Sequence, residues 1–561
     1  MGSSTVNGFK NYNTLPPKQL LADMVDGLAI SKPHAAYAFV PIALNGYNEG
    51  YQKVSYRHFA NMVNGLAWWL TAQIGKSSSL QALTYVGPND LRQNAMIIAC
   101  SKAGYKRIKL LLVSPRSQCS ALKSLLETVD CKAVLAADPS SAFARTFQQV
   151  GDLPTFQVPT LENLMVEEFP HYLVSKTFQE SKHEALLVLH TSGTTATPKP
   201  ITYTHEWAAA YMDALTFEPS PTVEASWEFK DDHLRGTRLL VMMPPFHAAN
   251  IFCTSFLAVA CETTIILPPA NFPCTVEAFI GAIQSTQVDT AFIPPHLISH
   301  IALNPEYLDI VEKRLGTIIS GGGKIVESHG DAVASKVHTI TLYGATEVGS
   351  VPDYSPTRNL VNPMWAYIHP HEDARWEFRR QHGTDNTELH EAWITKGSDP
   401  AKEPPIFKVF PDQEEYCTRD LYVEHPELKG FWKWRGRLDD TICLSTGANL
   451  SPILMEDGLS RIPQLQAALM IGTGYRGSAL LIEKRTPCET TDLKEQLVAE
   501  IWPYVEDLNQ HYFEDHRITA DRIIVIDVKK PMVRSLKGTI QRNATVALYK
   551  EELMSLFRDT A

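Results

Sequence analysis

The sequence has few of the features that mark secreted or zinc-binding proteins. Its nine cysteines are scattered over 561 residues, and no Cys-x-x-Cys pair occurs. Disulfide frameworks and structural zinc sites usually carry closely spaced cysteines, so neither is predicted. An odd number of cysteines suits a reducing compartment, where each is interpreted as a small buried side chain.

Long uninterrupted apolar runs are also missing. The N-terminal segment MGSSTVNGFKNYNTLPP is polar and contains no apolar core of a secretion signal. The most apolar region, residues 239–260, is interrupted by two prolines, a histidine and an asparagine, so it does not fit a membrane span. The last residues, LFRDTA, carry no lipidation or retention motif. These absences predict a cytoplasmic protein without a membrane partner.

Positive charge is not in excess either. The formal net charge is −11 and the sequence pI is about 6.0. Because nucleic-acid-binding domains usually present basic faces, a broad nucleic-acid interface is not expected. A local basic pocket remains compatible with these values.

Short apolar runs alternate with amphipathic segments along the chain. The runs KLLLV and AVLAA are nearly continuous, as in parallel strands that are buried on both faces. Residues 56–75 instead place apolar side chains at helical spacing. Because strand and helix signals alternate, we predict an α/β fold.

The length of the chain predicts more than one domain, since single cores rarely exceed roughly 250–300 residues. The composition changes near residues 434–440, WRGRLDD, and a smaller unit with its own strand signals follows. We expect a large N-terminal domain of layered, mostly parallel sheets and helices, residues 1–436. A small α+β C-terminal domain, residues 437–561, is expected after it.

The segment HTSGTTATPKP, residues 190–200, follows the strand-like run ALLVLH. A loop rich in serine, threonine and glycine can direct N–H groups and hydroxyls toward an anion, and Lys199 adds a mobile positive charge. The segment lacks the spacing of a Walker A loop. From the residues alone, a phosphate-binding loop and an ordinary polar turn both remain open.

Six motifs, in order, resemble those of the adenylate-forming superfamily of acyl-CoA synthetases, luciferases and adenylation domains of nonribosomal peptide synthetases. They are TSGTT-x-x-PK, SGGGK, LYGATE, YCTRDL, GRLDD and KGTIQR, and they extend over essentially the whole chain. The resemblance implies a ligase that converts a carboxylic acid and ATP to acyl-AMP and pyrophosphate, and then transfers the acyl group to a thiol. It also implies that the small C-terminal domain is a mobile lid.

The resemblance assigns roles to individual residues. The phosphates of ATP would be held by Thr191, Ser192, Gly193, Thr194, Thr195 and Lys199. The adenosine would be held by Gly322, Gly323, Tyr343, Asp420 and Arg437, with Asp420 on the ribose hydroxyls. Thr346 would contact the α-phosphate, Glu347 would ligate the Mg²⁺ ion that bridges the phosphates, and Asp439 would be the hinge.

The sequence departs from the family pattern at three positions. In KGTIQR, Thr539 occupies the usual lysine position, and Lys537 precedes it by two residues. We favour Lys537 as the catalytic cation between carboxylate and α-phosphate, with a surface lysine as the alternative. Ala196 and Arg419 replace usual glycines, and we expect the Arg419 side chain to point outward or toward a partner.

The stretch PPFHAANIF bears on the substrate. Adenylation domains for α-amino acids carry an aspartate after the phenylalanine, where it pairs with the substrate ammonium, but this chain has His247 there. We therefore expect an aromatic or hydrophobic acid without an α-amino group. His247 is interpreted as a pocket wall near the reacting carboxylate, with a core histidine as the alternative. Position matching adds Leu342, Ser350 and Val351 to the substrate pocket.

The thiol acceptor remains open between two classes. The FHAAN and KGTIQR motifs resemble fungal adenylate-forming reductases, in which phosphopantetheine on a following carrier domain accepts the acyl group. The chain ends soon after KGTIQR and holds no carrier-serine motif and no reductase fingerprint. We favour an adenylation domain that works with a downstream carrier, itself followed by a reductase or thioesterase. The alternatives are a stand-alone acid–CoA ligase and a catalytically weak adenylate-binding protein.

Overall fold

The structure is a computed structural model. It describes residues 18–75, 81–103, 108–113, 119–174, 176–191, 199–218, 220, 227–229, 233–271, 273–356, 364–381, 388–446, 449–486, 490–512, 514–535 and 538–558.

The strands, in chain order, are β1 (Ala36–Pro41), β2 (Tyr51–Ser55), β3 (Gln81–Val86), β4 (Ile108–Leu112), β5 (Cys131–Ala136), β6 (Thr155–Gln157), β7 (Ala185–His190), β8 (Pro200–Thr204), β9 (Trp227–Phe229), β10 (Arg238–Val241), β11 (Thr264–Ile266), β12 (Thr290–Ile293), β13 (Thr317–Gly321), β14 (His338–Leu342), β15 (Gly344–Ala345), β16 (Gly349–Ser350), β17 (Asp353–Pro356), β18 (Tyr367–Pro370), β19 (Trp376–Arg380), β20 (His390–Thr395), β21 (Glu415–Glu424), β22 (Trp432–Arg437), β23 (Ile442–Cys443), β24 (Asn449–Leu450), β25 (Leu465–Ile471), β26 (Ala479–Lys484) and β27 (Ile523–Val525).

The α-helices are α1 (Leu21–Ser31), α2 (Tyr56–Ile74), α3 (Leu91–Lys102), α4 (Cys119–Val129), α5 (Ala142–Gly151), α6 (Leu161–Val166), α7 (Phe178–Ser181), α8 (His205–Ala214), α9 (Ala248–Ile251), α10 (Ala258–Ala260), α11 (Val276–Ser285), α12 (Pro295–Ala302), α13 (Pro305–Arg314), α14 (Glu327–Ala334), α15 (Ile406–Val409), α16 (Ile453–Ser460), α17 (Thr491–Asn509), α18 (Arg542–Leu548) and α19 (Lys550–Arg558). A π-helical turn, Phe252–Leu257, joins α9 to α10.

Two parallel sheets form the body of the large domain. One has the order β14-β13-β12-β10-β11-β1-β2, and the other has the order β6-β5-β3-β4-β7-β8. Each ends in one antiparallel pair, β1 with β2 and β7 with β8. The predicted strands KLLLV and AVLAA are β4 and β5, and the predicted helix at residues 56–75 is α2.

Both faces of these sheets are buried, which explains their continuous apolar sequences. In β10, Leu239 and Val241 lie in the core between the sheets, together with helices α2, α3 and α8. Leu240 faces the other way and packs with α11, α12 and α14 in a second core. The three buried positions of the strand, residues 239–241, are therefore all apolar.

A third large sheet is antiparallel and was not predicted. Its order is β19-β20-β21-β22-β18-β17-β9. Its strands are only partly buried and mix aromatic with charged residues, as in WKWRGR of β22. It holds the YCTRDL motif in β21 and leads into the C-terminal domain through β22.

The C-terminal part has its own sheet and cores. Its sheet has the order β25-β26-β27, with one antiparallel and one parallel pair. Helices α16 and α17 pack on it with Met455, Leu497 and Ile501 in the core. This arrangement matches the predicted α+β unit.

Among the described residues, no helix is both long and apolar enough to cross a bilayer. The cysteines that the structure describes form no disulfide.

Candidate active site

A cavity of about 890 Å³ opens where three parts of the molecule meet. The carboxyl ends of β13 and β14 form one side, the antiparallel sheet contributes Asp420 and Trp434, and the C-terminal domain contributes Thr539 and Arg542. The carboxyl edge of parallel strands is the usual place for ligands in α/β proteins. The cavity is therefore the candidate active site.

Asp420 lies at the centre of the polar part of this cavity. The Tyr343 hydroxyl donates a hydrogen bond to its Oδ2 atom, and the Trp434 indole N–H donates to Oδ1 over 2.8 Å. Two predicted motifs, LYGATE and YCTRDL, and the segment before GRLDD thus meet at one carboxylate. Each carboxylate oxygen keeps a second lone pair, so it can still accept a ribose hydroxyl.

Burial governs the electrostatics of this group. Only 7% of Asp420 is exposed. Burial raises the pKa of the Asp420 carboxyl, and the hydrogen bonds from Tyr343 and Trp434 oppose that shift. Burial and the neighbouring carboxylate likewise raise the pKa of Tyr343 well above the usual value, so its hydroxyl remains a donor.

Arg437 pairs with Asp420 across the β21–β22 ladder and also lines the cavity. Its Nε atom is buried and has no hydrogen-bond partner among the described residues. A buried donor without a partner is costly, so a bound anion or ribose oxygen would stabilise it. This fits the predicted position of Arg437 beside a nucleotide.

The Gly-rich turn SGGGK follows β13 and lies at the cavity wall. Gly322 has a φ of 83°, in the region that favours glycine. Gly323 faces the C-terminal domain: a Cβ atom added there would lie 2.8 Å from Cγ2 of Thr539. Glycine is thus required for the close approach of the KGTIQR segment.

The hydroxyl-rich segment connects the antiparallel strands β7 and β8. Its two ends are held together, because the Thr191 N–H donates to the Lys199 carbonyl over 3.0 Å. Thr191 and Lys199 both line the cavity. Ser192, Gly193, Thr194, Thr195 and Ala196 lie outside the described residues.

Thr346 and Glu347 occupy the turn between β15 and β16 and line the cavity. The Tyr203 hydroxyl donates to the Thr346 carbonyl and fixes the turn. Within the described part of the chain, no three histidine, cysteine, aspartate or glutamate side chains are placed to hold a metal ion. Mg²⁺ commonly binds one or two carboxylates together with phosphate oxygens, so the half-buried Glu347 alone fits that chemistry.

The other end of the cavity is largely apolar. His247 caps α9, with its Nδ1 atom accepting the Ala249 N–H over 3.2 Å, and its side chain lines the cavity. Leu342 and Ser350 line the same wall. Val351 is buried and is not among the residues that line this cavity; together with Ser350 it lines a second cavity of about 40 Å³.

Sequence reasoning missed several residues of this apolar end. Tyr211 of α8 lines it and shares a 2.7 Å hydrogen bond between its hydroxyl and that of Ser350. Phe252 and Leu257, from the π-helical turn, line it as well. Isolated π-helical turns occur frequently at functional sites. The polar residues and prolines that interrupt the apolar region 239–260 were the sequence signal that could have indicated this part of the site.

The C-terminal domain covers the polar end. Arg542 is fixed by Glu456, whose Oε1 atom lies 2.7 Å from its Nη2 atom. Gly538 approaches His296, and Thr539 approaches Gly323. Lys537, the predicted catalytic lysine, lies outside the described residues.

Ion pairs also cross between the two domains. Lys324 forms an ion pair with Asp457. The Nη2 atom of Arg461 lies 3.5 Å from Oε2 of Glu327. Burial in the cleft lowers the pKa of Lys324 to about 8. Asp439, the predicted hinge residue, lies in the short turn Leu438–Asp440 directly after β22.

Comparison with known sequences identifies the family. The sequence pattern described as AMP-binding enzyme matches residues 32–366, and that of the AMP-binding enzyme C-terminal domain matches residues 439–561. The chain belongs to the AMP-binding enzyme family.

Curated relatives of this family member include fungal proteins. A carboxylic acid reductase from Neurospora crassa is 27% identical over 97% of the chain. An isocyanide synthase-NRPS hybrid from Aspergillus fumigatus is 27% identical over 96% of it. An adenylate-forming reductase from Serpula lacrymans is 28% identical over 82%. The chain spans 51%, 34% and 42% of these relatives, respectively.

Solved structures support the fold. ATP-bound MatB from Rhodopseudomonas palustris aligns over 95% of this chain and 99% of its own, with a TM-score of 0.69 at 15% identity. The anthranilate CoA ligase AuaEII with anthranoyl-AMP aligns over 97% and 98%, with a TM-score of 0.68 at 13% identity. The predicted α/β fold with a C-terminal domain is confirmed. The chain is thus an AMP-binding enzyme, and proteins named carboxylic acid reductase and adenylate-forming reductase are among its relatives.

Proposed function

We propose that this chain activates a carboxylic acid without an α-amino group as its acyl-AMP and passes the acyl group to a phosphopantetheine thiol. The observation that carries the proposal is the convergence of Tyr343 and Trp434 on the buried Asp420, in a cavity whose other end is apolar. A polar nucleotide end and an apolar acid end within one cavity match the two reactants of adenylation.

The first step joins two anions and must overcome their repulsion. The acid carboxylate attacks the α-phosphorus of ATP, the bond between α-phosphorus and bridging oxygen breaks, and pyrophosphate leaves. Asp420 and Arg437 hold the adenosine half, and Thr346 contacts the α-phosphate. Glu347 would hold Mg²⁺, which would supply positive charge to the phosphates. Holding the reactants in line contributes on the order of 7–11 kcal/mol.

Two features support an aromatic or hydrophobic acid. Apolar side chains of Leu239, Phe252 and Leu257 line the far end of the cavity. His247 takes the place of the aspartate that would neutralise an α-ammonium group. A hydrophobic pocket alone discriminates weakly, by about 1–3 kcal/mol per methylene, so several related acids are expected to react.

The acceptor thiol is assigned from the relatives. The chain spans about half or less of the fungal relatives named above, which suits one domain of a larger synthetase-like enzyme with a phosphopantetheine carrier. The solved anthranilate CoA ligase is instead matched over 98% of its length, which favours a stand-alone acid–CoA ligase as the second candidate.

Pyrophosphate exchange with a panel of aryl, keto, aliphatic and amino acids tests the first step. We expect exchange with aromatic or hydrophobic acids and little with α-amino acids, and Lys537→Ala is expected to lose most of it while retaining ATP binding. Absence of exchange with every acid would favour an adenylate-binding protein. Adding CoA or a phosphopantetheinylated carrier then separates the acceptors, because rapid acyl-CoA formation would contradict the carrier assignment.

A further inference from the structure

Arg419 adopts an unusual backbone conformation. It lies within β21, one residue before Asp420, with a φ of 64°. The left-handed region is costly for residues with a Cβ atom, and such strain persists only where the surroundings hold it. The family motif usually has glycine here, so the arginine needs a structural reason.

The side chain supplies that reason. The Nη2 atom of Arg419 lies 3.0 Å from Oδ1 of Asp439, and Nη2 of Arg437 lies 3.1 Å from Oδ2 of the same carboxylate. Both arginines belong to paired strands of the antiparallel sheet, and Asp439 follows in the turn that leads into the C-terminal domain. The hinge carboxylate is therefore held by Arg419 of the large domain and by Arg437, which lies at the domain boundary.

We propose that Arg419 is a positioning residue that holds Asp439 and so stabilises the orientation in which Thr539 lies on Gly323. This rests on the proposed function, in which the C-terminal domain changes orientation between adenylation and thiol transfer. Rotation about Asp439 must break its contact with Arg419. Arg419 thus sets the balance between the two half-reactions, in favour of adenylation.

The size of the effect is limited by exposure. About half of the Arg419 side chain is exposed, and exposed ion pairs are weak. A contact of this kind changes an equilibrium about two- to fivefold. That is enough to alter the ratio of two orientations of similar energy, and added salt should reduce it.

The test uses Arg419→Gly in the full chain, which removes the ion pair and relieves the backbone. Arg375→Gly is the matched control, because Arg375 also has a left-handed φ, of 55°, but lies away from the hinge turn. Amide hydrogen exchange of residues 438–443 is measured in the absence of the carboxylic acid substrate, once with ATP and once without it. We expect exchange about two- to fivefold faster in Arg419→Gly than in the wild-type chain. In the Arg375→Gly control, the exchange of these residues should equal that of the wild type.

Turnover gives the second measurement. Arg419→Gly should lower pyrophosphate exchange relative to thiol transfer by a similar factor, with an unchanged KM for ATP, and 1 M salt should remove the difference. Unchanged hinge exchange together with an unchanged ratio would overturn the proposal. If Arg419→Gly fails to fold, Arg419→Asn, which removes the charge and tolerates the left-handed backbone conformation, takes its place. A wild-type chain inactive with every acid would refute the proposed function instead.

Discussion

At the residue scale, Asp420 combines two opposed demands. Burial raises the pKa of its carboxyl, yet ribose binding needs the ionised form with its acceptor oxygens. The folded protein therefore holds the proton more tightly than the unfolded chain does. Protonation of Asp420 therefore stabilises the folded state at pH values below the pKa of this carboxyl in the unfolded chain. The stabilisation is lost as the pH rises through the pKa of Asp420 in the folded protein.

Asp420→Asn separates binding from stability. The amide cannot accept from both Tyr343 and Trp434 and also from ribose, so KM for ATP should rise about tenfold or more, as expected for hydrogen bonds to a charged group. The melting temperature at pH 7 should not fall, because the folded state disfavours the charge. Steady-state pyrophosphate exchange and thermal denaturation measure the two effects. In the wild type, kcat/KM for ATP should decline as the pH falls through the pKa of Asp420, and burial places that pKa above the usual aspartate range. An unchanged KM in the variant would contradict this role.

His247 offers a second residue test, with a control that preserves the helix. Asparagine and aspartate both cap helices well, so either can replace the contact to the Ala249 N–H. His247→Asp adds a negative charge beside the proposed acid, and kcat/KM for that acid should fall roughly tenfold relative to His247→Asn. Pyrophosphate exchange with both variants at matched acid concentrations measures the difference. Equal activity of the two would place His247 away from the carboxylate.

The sequence identified some of these residues but not their neighbours. Tyr343 and Asp420 were found because their motifs resemble those of the family, and both line the cavity. Trp434 was not found, because it lies in an aromatic, basic segment that reads as a domain boundary. The spacing of Trp432 and Trp434 places both on one face of a strand, which was the available signal. Tyr211 carries no motif, since its role depends on how α8 packs.

At the element scale, the sequence patterns predicted the buried strands of the parallel sheets but not the strands of the antiparallel sheet. The strands β4 and β5 were predicted because both of their faces are buried, which leaves a continuous apolar run. The strands β19 and β22 mix arginine, glutamate or lysine with tryptophan, because their side chains are only partly buried. The pairing of these strands depends on tertiary contacts, so no local alternation of apolar and polar residues predicts it.

The contact between the Gly-rich turn and the KGTIQR segment gives an element-scale prediction. Gly323→Ala places a methyl group 2.8 Å from Cγ2 of Thr539, so the segment must move. Adenylation should fall between about tenfold and a hundredfold, as for small misplacements in other active sites. Pyrophosphate exchange measures this loss. Thr539→Ser removes Cγ2, so adding it to Gly323→Ala should restore activity. Failure of that rescue would show that the two segments do not meet during adenylation.

At the scale of the whole molecule, the C-terminal domain has hydrophobic cores of its own. The core around Met455 and Leu497 contains only residues after the hinge turn, as does a smaller core around Tyr549. Between the domains the structure shows polar contacts such as Glu327 with Arg461. Interfaces of this polar kind permit relative motion, whereas a shared apolar core would prevent it.

The predicted boundary can be tested by cutting the chain there. Because its cores are self-contained, the fragment 437–561 should fold alone, with a cooperative thermal transition followed by circular dichroism. The fragment 1–436 retains Asp420, Tyr343 and Thr191, so it should bind ATP but exchange pyrophosphate at least about a hundredfold more slowly than the full chain. Mixing the fragments should restore little activity, because the linkage supplies a high effective concentration of the lid. A fragment 437–561 without a cooperative transition would place the boundary elsewhere, and full exchange by 1–436 would remove the C-terminal domain from the chemistry.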